Sequence, residues 1–390
     1  MNMKIKSIEP FLLYAQDTEI DVGRKNIGGY TGHQVLVKID TDEGISGWGE
    51  SCINSENGEG SLALYSLIKN GLTPKLIGED PLQVRRIWEK MYTYMEWWGR
   101  RGIGMFALSA IDTALMDISG KYFGVPCATL MGGIFRNEVD VYASLLFDME
   151  NPEMTGKKAL PYLNKGYFGV KYGWGLYREK PFGADMKKDE EIISTIRNII
   201  GKEANLMVDV GRYVDWNYEY ALKMARMLKG YNIYWLEEPL PQEDLYGFKN
   251  LTRESGVTIA AGEGYQTSYD FHMLLRNEAL GLYQPDPSKL GGLSEAKKVV
   301  DLVESYNRSW VPHNWSTIVN TAASLQLVAS SKSGFLVEHK QEKNPFLDEL
   351  AHEKLEVSNG KLRIPLGPGL GIRMNEDAVR KYQVETRDLA

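Results

Sequence analysis

The chain has 390 residues, and 45 lysines and arginines against 52 aspartates and glutamates give a formal net charge of −7 at pH 7. This length predicts two domains. The mildly acidic charge is spread along the chain and favours neither nucleic acid nor an anionic membrane as a partner. No apolar run looks long enough to span a bilayer, and the start lacks a signal-peptide core. Only Cys52 and Cys127 are present, in no metal-binding or redox spacing, so a reduced cytoplasmic setting is expected.

Residues 1–133 are predicted to form an α+β domain. Apolar patterns at 3–14 and 34–49 predict strands, the second run with a tight turn inside it. From 61 to 122 the apolar spacing becomes helical. Gly132 and Gly133 mark the expected end of this domain, because paired glycines interrupt regular structure.

Residues 134–362 show an alternation of strand and helix patterns. Eight strand–helix units predict a closed (β/α)₈ barrel, an α/β fold. The remaining 363–390 segment is expected to return to the first domain. The predicted strands are 139–146, 166–172, 205–210, 233–237, 258–262, 281–285, 310–313 and 334–338.

Three apolar runs end in carboxylates at Asp209, Glu237 and Glu263, about one strand–helix unit apart. They should therefore meet at the carboxyl ends of neighbouring barrel strands. Alone, Asp209 would be interpreted as a helix cap. Three carboxylates converging without a cation would repel one another, and all-oxygen ligation points to Mg²⁺ or Mn²⁺. Glu238 should face the opposite side of its strand from Glu237, in a supporting or structural position.

Asp286 and His313 end the next two apolar runs at a similar spacing, so they are expected to be neighbours at the barrel mouth. A carboxylate beside an imidazole fixes its tautomer and raises its basicity, as a general base requires. Either residue alone has an ordinary structural interpretation. Together they predict a catalytic pair.

Lys171 lies late on the second predicted barrel strand among apolar neighbours, which favours a position facing the barrel interior over a surface position. Gly173 shares its face, because strand side chains alternate. Glu338 ends the last predicted strand. Its pattern is equally compatible with a catalytic hydrogen-bond donor and with a structural ion-pair partner.

Two segments of the first domain carry candidate substrate contacts. Arg24, Lys25 and Tyr30 lie in a glycine-rich loop that is either a lid or a solvated loop. Trp98 lies in the segment 97–101, for which packing between domains is the preferred interpretation and substrate contact the alternative.

In order along the chain, these motifs resemble the mandelate racemase subgroup of the enolase superfamily. The resemblance implies an α+β capping domain over a modified barrel, Mg²⁺ held by Asp209, Glu237 and Glu263, and removal of the proton α to a substrate carboxylate. Members of that subgroup that dehydrate act mostly on sugar acids, and barrels of this kind often form homo-oligomers. The matching segments are 44–50, 107–115, the Lys171 strand, Asp209, 235–239, 261–263, 284–286 with Gly291 and Gly292, His313 and Glu338.

Two positions depart from the family pattern. Many relatives carry Lys-x-Lys on the second strand, where this chain has Lys171-Tyr172-Gly173, and an asparagine often found two residues after the first metal ligand is Gly211 here. Racemisation needs acid–base groups on both faces of the substrate, whereas elimination of water can use His313 alone, first as base and then as acid.

The sequence therefore predicts a Mg²⁺-dependent dehydratase that converts a small acid sugar to a 2-keto-3-deoxy sugar acid. Asp286 and His313 would supply the base, Lys171 would neutralise the substrate carboxylate or enolate, and Glu338 would donate a hydrogen bond. The alternatives are a cycloisomerase of an aldonolactone or anhydro sugar acid, a racemase or epimerase, and a binding protein without activity.

Overall fold

The computed structural model describes residues 3–15, 33–53, 58–176, 180–211, 214–341 and 344–385. Within them, the first domain begins with a three-stranded antiparallel sheet in the order β1-β2-β3. The predicted strand, turn, strand pattern is confirmed. The strands are β1 (Ile5–Tyr14), β2 (His33–Thr41) and β3 (Ser46–Ser51).

Helices cover one face of this sheet, and α4 lies directly on β3. A Cβ at Gly47 or Gly49 would come within 2.1 Å of Ala114 O or 1.9 Å of Ala110 O, so only glycine permits this approach. The helical elements are α1 (Glu59–Ser66), a π-helical turn (Leu67–Leu72), α2 (Thr73–Leu76), α3 (Val84–Tyr94), α4 (Ile103–Phe123) and α5 (Cys127–Leu130).

The 21 residues of α4 are apolar and long enough to cross a membrane, contrary to the expectation from the sequence. However, 89% of its most apolar window is buried inside the fold. This helix is therefore the central core helix of the first domain.

Among the described residues, eight parallel strands form the barrel of the second domain, and each overlaps one of the predicted strands. Parallel pairing runs without interruption from β10 through β9, β8, β7, β6 and β5 to β4, which also pairs with β11. The strands are β4 (Glu138–Leu146), β5 (Gly169–Gly173), β6 (Asn205–Asp209), β7 (Ile233–Glu237), β8 (Ile259–Ala261), β9 (Leu282–Tyr283), β10 (Ser309–Trp310) and β11 (Leu336–Lys340).

No strand ladder joins β10 to β11 in the described ranges. Asn314 bridges this seam instead, since its backbone N–H donates to Glu338 Oε2 at 3.0 Å and its side-chain amide donates to the Glu338 carbonyl at 3.0 Å. A hairpin of β12 (Val357–Ser358) and β13 (Lys361–Arg363) adds antiparallel pairing to β4. The barrel is thus a modified one, as the resemblance implied.

Helices connect consecutive barrel strands, and the end of the chain returns to the first domain. Val384 N–H donates to Leu12 O at 2.9 Å, and Lys38 forms an ion pair with Glu376 at 2.7 Å. The helices are α6 (Pro152–Asn164), α7 (Met186–Ile200), α8 (Tyr218–Lys229), α9 (Leu245–Glu254), α10 (Thr267–Arg276), α11 (Leu293–Ser305), α12 (Ile318–Ala329), α13 (Pro345–Asp348) and α14 (Glu376–Tyr382).

A layer of apolar side chains fills the barrel interior and forms its own hydrophobic cluster. Side chains alternate along a strand, so a residue two positions after a member of this layer also faces the barrel interior. It lies one level closer to the carboxyl end of its strand. The interior layer therefore forms the floor of the barrel mouth. Its buried members are Tyr142, Met207, Trp235, Ala260, Leu282, Val311 and Leu336.

Candidate active site

Asp209, Glu237, His313 and Glu338 form the next layer above this floor, whereas Lys171 is in register with the floor residue Met207. Asp209 follows Met207 by two positions and Glu237 follows Trp235 by two, and the two carboxylate residues are register partners on β6 and β7. The same spacing relates Leu282 to Gln284, Val311 to His313 and Leu336 to Glu338.

Glu263 reaches the mouth by a different route, because β8 ends at Ala261. Gly262 has φ 152°, and a Cβ there would lie 2.5 Å from Gln284 N. Glycine is thus required for the turn that carries Glu263 toward the site.

Lys171 is a buried cation in the barrel mouth. Its Nζ lies 2.7 Å from Glu237 Oε1, 2.9 Å from Glu338 Oε1 and 3.6 Å from Asp209 Oδ2. Burial alone would lower its pKa, but the charges of Glu237 and Glu338 raise it well above the usual value. The prediction that Lys171 faces the barrel interior is therefore confirmed by its position.

Asp209 is buried, and desolvation together with the charge of Glu237 raises the pKa of its carboxyl group well above the usual value. The second carboxylate oxygen of Glu237 accepts hydrogen bonds from Trp235 Nε1 at 2.9 Å and Gln284 Nε2 at 2.8 Å. Glu237 is thus held from two sides, by Lys171 and by neutral donors.

His313 lies between two carboxylates. Its Nδ1 is 2.6 Å from Asp286 Oδ2 and its Nε2 is 2.8 Å from Glu263 Oε2. Burial opposes its protonation, yet the charge of Glu263 and the hydrogen bond with Asp286 raise the pKa of His313 well above its usual value. The predicted Asp286–His313 contact is present.

Asp286 is held firmly for its role as a partner of His313. Its Oδ1 accepts from Ser288 N at 2.8 Å, from Ser288 Oγ at 2.7 Å and from Asn320 Nδ2 at 3.2 Å. Although burial alone would raise its pKa, the hydrogen bond and charge of His313 keep it below the usual value. This network fixes the carboxylate and through it the imidazole.

Lys289 was not predicted as a site residue, yet it is only 8% exposed and faces the same carboxylates. Its Nζ lies 3.4 Å from Glu263 Oε1 and 3.9 Å from Asp286 Oδ2. Against the effect of burial, the charges of His313 and Lys289 lower the pKa of Glu263 well below its usual value. Its place three residues after Asp286 was the only sequence signal.

Glu238 does not follow the alternation on which its predicted position rested. Its φ is +46°, so the backbone turns at this residue and is no longer extended. Its charge contributes to raising the pKa of both Asp209 and Lys289, which places the carboxylate near the site. The argument from opposite strand faces therefore does not apply to Glu238, and its supporting or structural position stays a prediction.

The predicted metal ligands contact cations of the chain itself. In the ranges that the structure describes, no group of three or more histidine, cysteine, aspartate or glutamate side chains is arranged to hold a metal ion. Asp209 and Glu237 face Lys171, and Glu263 faces His313 and Lys289. The donor set nevertheless fits a hard divalent cation, since the three carboxylates supply only oxygen ligands.

Glu50 joins the first domain to the loop that carries His313, which sequence reasoning missed. It lies on β3, and its buried carboxylate accepts hydrogen bonds from Asn320 N at 2.9 Å, Thr317 N at 3.3 Å and the hydroxyls of Ser316 and Thr317. It thus binds the first turn of α12. Burial raises the pKa of Glu50 above its usual value.

The predicted substrate contacts of the first domain stay predictions. Arg24, Lys25 and Tyr30 lie outside the described residues. Trp97 is 94% exposed and Trp98 57% exposed, so packing between domains is wrong for these rings. Arg101 makes the contact to the barrel domain, through an ion pair with Asp270 at 2.7 Å. Trp98 packs edge-on against Tyr94 and lines a surface groove of about 690 Å³.

These features define a capped-barrel class of protein. An α+β domain lies over the mouth of a parallel barrel, and carboxylates, a lysine and an aspartate–histidine pair lie at the ends of the barrel strands. Residues 29–132 match the mandelate racemase / muconate lactonizing enzyme N-terminal domain, and residues 156–378 match the enolase C-terminal domain-like family. The chain belongs to the mandelate racemase subgroup of the enolase superfamily.

Characterised relatives span nearly the whole chain. D-galactarolactone cycloisomerase of Agrobacterium fabrum is 31% identical, over 90% of this chain and 91% of the relative. D-xylonate dehydratase of Haloferax volcanii is 29% identical, over 91% and 86%. The crystal structure of the 3,6-anhydro-D-galactonate cycloisomerase from Zobellia galactanivorans matches with a TM-score of 0.86 and 31% identity, over 98% of this chain and 100% of that one.

Proposed function

We propose that the protein removes the proton α to the carboxylate of an acid sugar and then expels the oxygen on the neighbouring β carbon. The placement of the acid–base group on one side of the mouth carries this proposal. Around the barrel, β10 and β5 are separated by β11 and β4 on one side and by four strands on the other, so His313 and Lys171 lie across the mouth from each other. Beyond Lys171 on the same face stands Gly173, which has no side chain to act as a second base.

Four residues of the mouth have different roles in the proposed reaction. His313, oriented by Asp286, takes the α-proton and then delivers a proton to the departing oxygen. Lys171 neutralises negative charge that develops on the substrate carboxylate. Glu338, in contact with Lys171 and with the Asn314 backbone, positions that lysine, which favours the ion-pair interpretation over hydrogen-bond donation.

Asp209, Glu237 and Glu263 would hold Mg²⁺ or Mn²⁺. When bound, such a cation supplies electrophilic stabilisation of the enolate. Lys171, Lys289 and His313, which contact these carboxylates in the structure, would then face the substrate. The substrate is a small acid sugar.

Two leaving groups are compatible with this chemistry. Loss of water would make the protein a hydro-lyase that yields a 2-keto-3-deoxy sugar acid, the reaction type for which the D-xylonate relative is named. Loss of a ring oxygen would make it a cycloisomerase, as the D-galactarolactone and anhydrogalactonate relatives are named. The same enolate serves both.

The proposal is tested by incubating the protein with Mg²⁺ and a panel of aldonates, aldarates, lactones and anhydro sugar acids at neutral pH. We expect a 2-keto-3-deoxy acid from at least one substrate with the unmodified protein and none with His313→Asn. Absence of both product and α-proton exchange in D₂O across the panel would refute it.

A further inference from the structure

Four apolar side chains form a small cluster at the barrel mouth in the described part of the chain, here called the tryptophan wall: Leu146, Trp174, Leu176 and Trp315. Leu146 ends β4, Trp174 and Leu176 follow β5, and Trp315 comes two residues after the proposed base. The two indole rings meet edge to face with centroids 6.0 Å apart. Leu146 and Trp315 are buried, and Lys340 Nζ lies 4.9 Å from the centroid of the Trp315 ring. Trp174 and Leu176 are only half-buried, so these two side chains form the open side of the wall.

Two glycines place this wall beside the proposed site. A Cβ on Gly173 would lie 3.5 Å from Leu146 and 3.7 Å from Asp209 Oδ2, so the wall begins next to a proposed metal ligand. A Cβ on Gly211 would lie 2.5 Å from the ring of Trp174. The indole therefore occupies space in which a side chain at position 211 would stand.

An apolar wall and a polyhydroxylated open chain are poorly matched. An extended sugar acid carries hydroxyl groups along both sides, and burying a hydroxyl without a hydrogen-bond partner costs about 1–3 kcal/mol. A closed sugar ring presents a face of C–H groups that packs on an indole, while its oxygens point outward. The wall therefore complements a ring better than an open chain.

We propose that the tryptophan wall receives the C–H face of a cyclic acid sugar, either a lactone or an anhydro ring, whose ring oxygen is bonded to the β carbon. This inference rests on the proposed function and specifies its substrate class. His313 takes the α-proton, and the electron pair of that C–H bond forms the enol double bond. The β carbon–oxygen bond breaks, the ring oxygen leaves with its electron pair and takes a proton from His313, and the enol tautomerises to the keto acid. No atom is gained or lost, so the product is an isomer of the substrate.

The test compares kcat/KM for cyclic and open-chain acid sugars, with product masses measured. We expect the cyclic substrate to be preferred and its product to have the same mass. Trp174→Ala should lower kcat/KM for the cyclic substrate about tenfold, the size of an aromatic packing contribution, and should leave that for open-chain acids nearly unchanged. Trp174→Phe should keep most of the activity.

Trp216→Phe is the matched control. Trp216 is a buried indole outside the wall that donates to Gly183 O at 2.8 Å. Its change should therefore alter neither kcat/KM for the cyclic substrate nor the preference for that substrate over open-chain acids. A further variant, Trp174→Ser with Gly211→Asn, replaces the indole with polar groups and should shift preference toward open-chain acids.

The outcomes separate the two proposals. If open-chain acids lose water while cyclic acids are inert, or if Trp174→Ala changes both substrate classes equally, the role of the wall is wrong and the proposed function stands. If neither class exchanges its α-proton in D₂O, both fail.

Discussion

His313 Nε2 lies 2.8 Å from Glu263 Oε2, so the proposed base and a proposed metal ligand share a hydrogen bond. The other imidazole nitrogen is held by Asp286 at 2.6 Å. Because Nε2 is the nitrogen left to meet a substrate, Glu263 must turn away before His313 can accept a proton. A cation bound by Glu263 would replace His313 as the partner of this carboxylate. Cation binding would therefore make His313 available to accept the proton.

His313→Asn is expected to remove turnover and leave folding intact, because the imidazole is placed for chemistry above the apolar floor. Asp286→Asn should lower kcat on the order of a thousandfold or more, since the imidazole loses its orienting carboxylate. Steady-state kinetics and thermal denaturation measure the two effects. His272→Asn, an exposed change on α10, is the control, and normal turnover by His313→Asn would show that another residue is the base.

Glu237→Gln is expected to weaken Mg²⁺ binding more than Glu238→Gln. Glu237 lies in register with Asp209, whereas Glu238 follows a backbone turn. With Mg²⁺ at about 100 times its Kd, the unmodified protein should gain about 2.7 kcal/mol of unfolding free energy. Thermal denaturation with and without Mg²⁺ measures this gain. An equal gain in Glu237→Gln and a lost gain in Glu238→Gln would reverse the assignment.

The positions of Asp209, Glu237, His313 and Glu338 could be predicted from the sequence because each ends an apolar run at a repeated spacing. Strand alternation then places all four on one face. Alternation fails where the backbone leaves the extended conformation, so it cannot place the side chain of Glu238.

Contacts between distant segments had no comparable local signal. Glu50 reaches Thr317 and Asn320 from another domain, and Lys289 lies in a loop after β9 that no periodicity describes. The packing of Trp174 on Gly211 depends on the paths of two loops. The sequence shows that position 211 carries no side chain, but it does not show that Trp174 packs there.

Asp112 is expected to make stability fall as pH rises from about 4 to about 7. It lies buried between α4 and α11, where it accepts hydrogen bonds from Ser294 N at 2.8 Å and Ser294 Oγ at 2.6 Å. Burial raises its pKa to about 7, against about 3.9 in the unfolded chain. Between these values the folded state holds a proton that the unfolded state has released, so rising pH favours unfolding, by about 1.4 kcal/mol for each pKa unit at most.

Asp112→Asn should therefore flatten the dependence of unfolding free energy on pH in this window, measured by denaturant unfolding at several pH values. Asp301→Asn, an exposed change on α11, should leave the slope unchanged. An unaltered slope in Asp112→Asn would mean that another group binds the proton.

The substrate is expected to lose its α-proton only to the face that His313 addresses. Gly173 offers no side chain on the opposite face, and Lys171 is held by Glu237 and Glu338 at 2.7 and 2.9 Å, an arrangement that suits charge neutralisation better than proton transfer. With substrate held in D₂O, recovered substrate should keep its α-configuration even where deuterium has exchanged, as NMR and chiral chromatography would show. Lys171→Arg keeps the charge and serves as the control for a purely electrostatic lysine. The contrary outcome is that the unmodified protein forms the α-epimer at a rate comparable to product formation and that Lys171→Arg does not. Lys171 would then be an acid–base catalyst, and racemisation would be favoured over elimination.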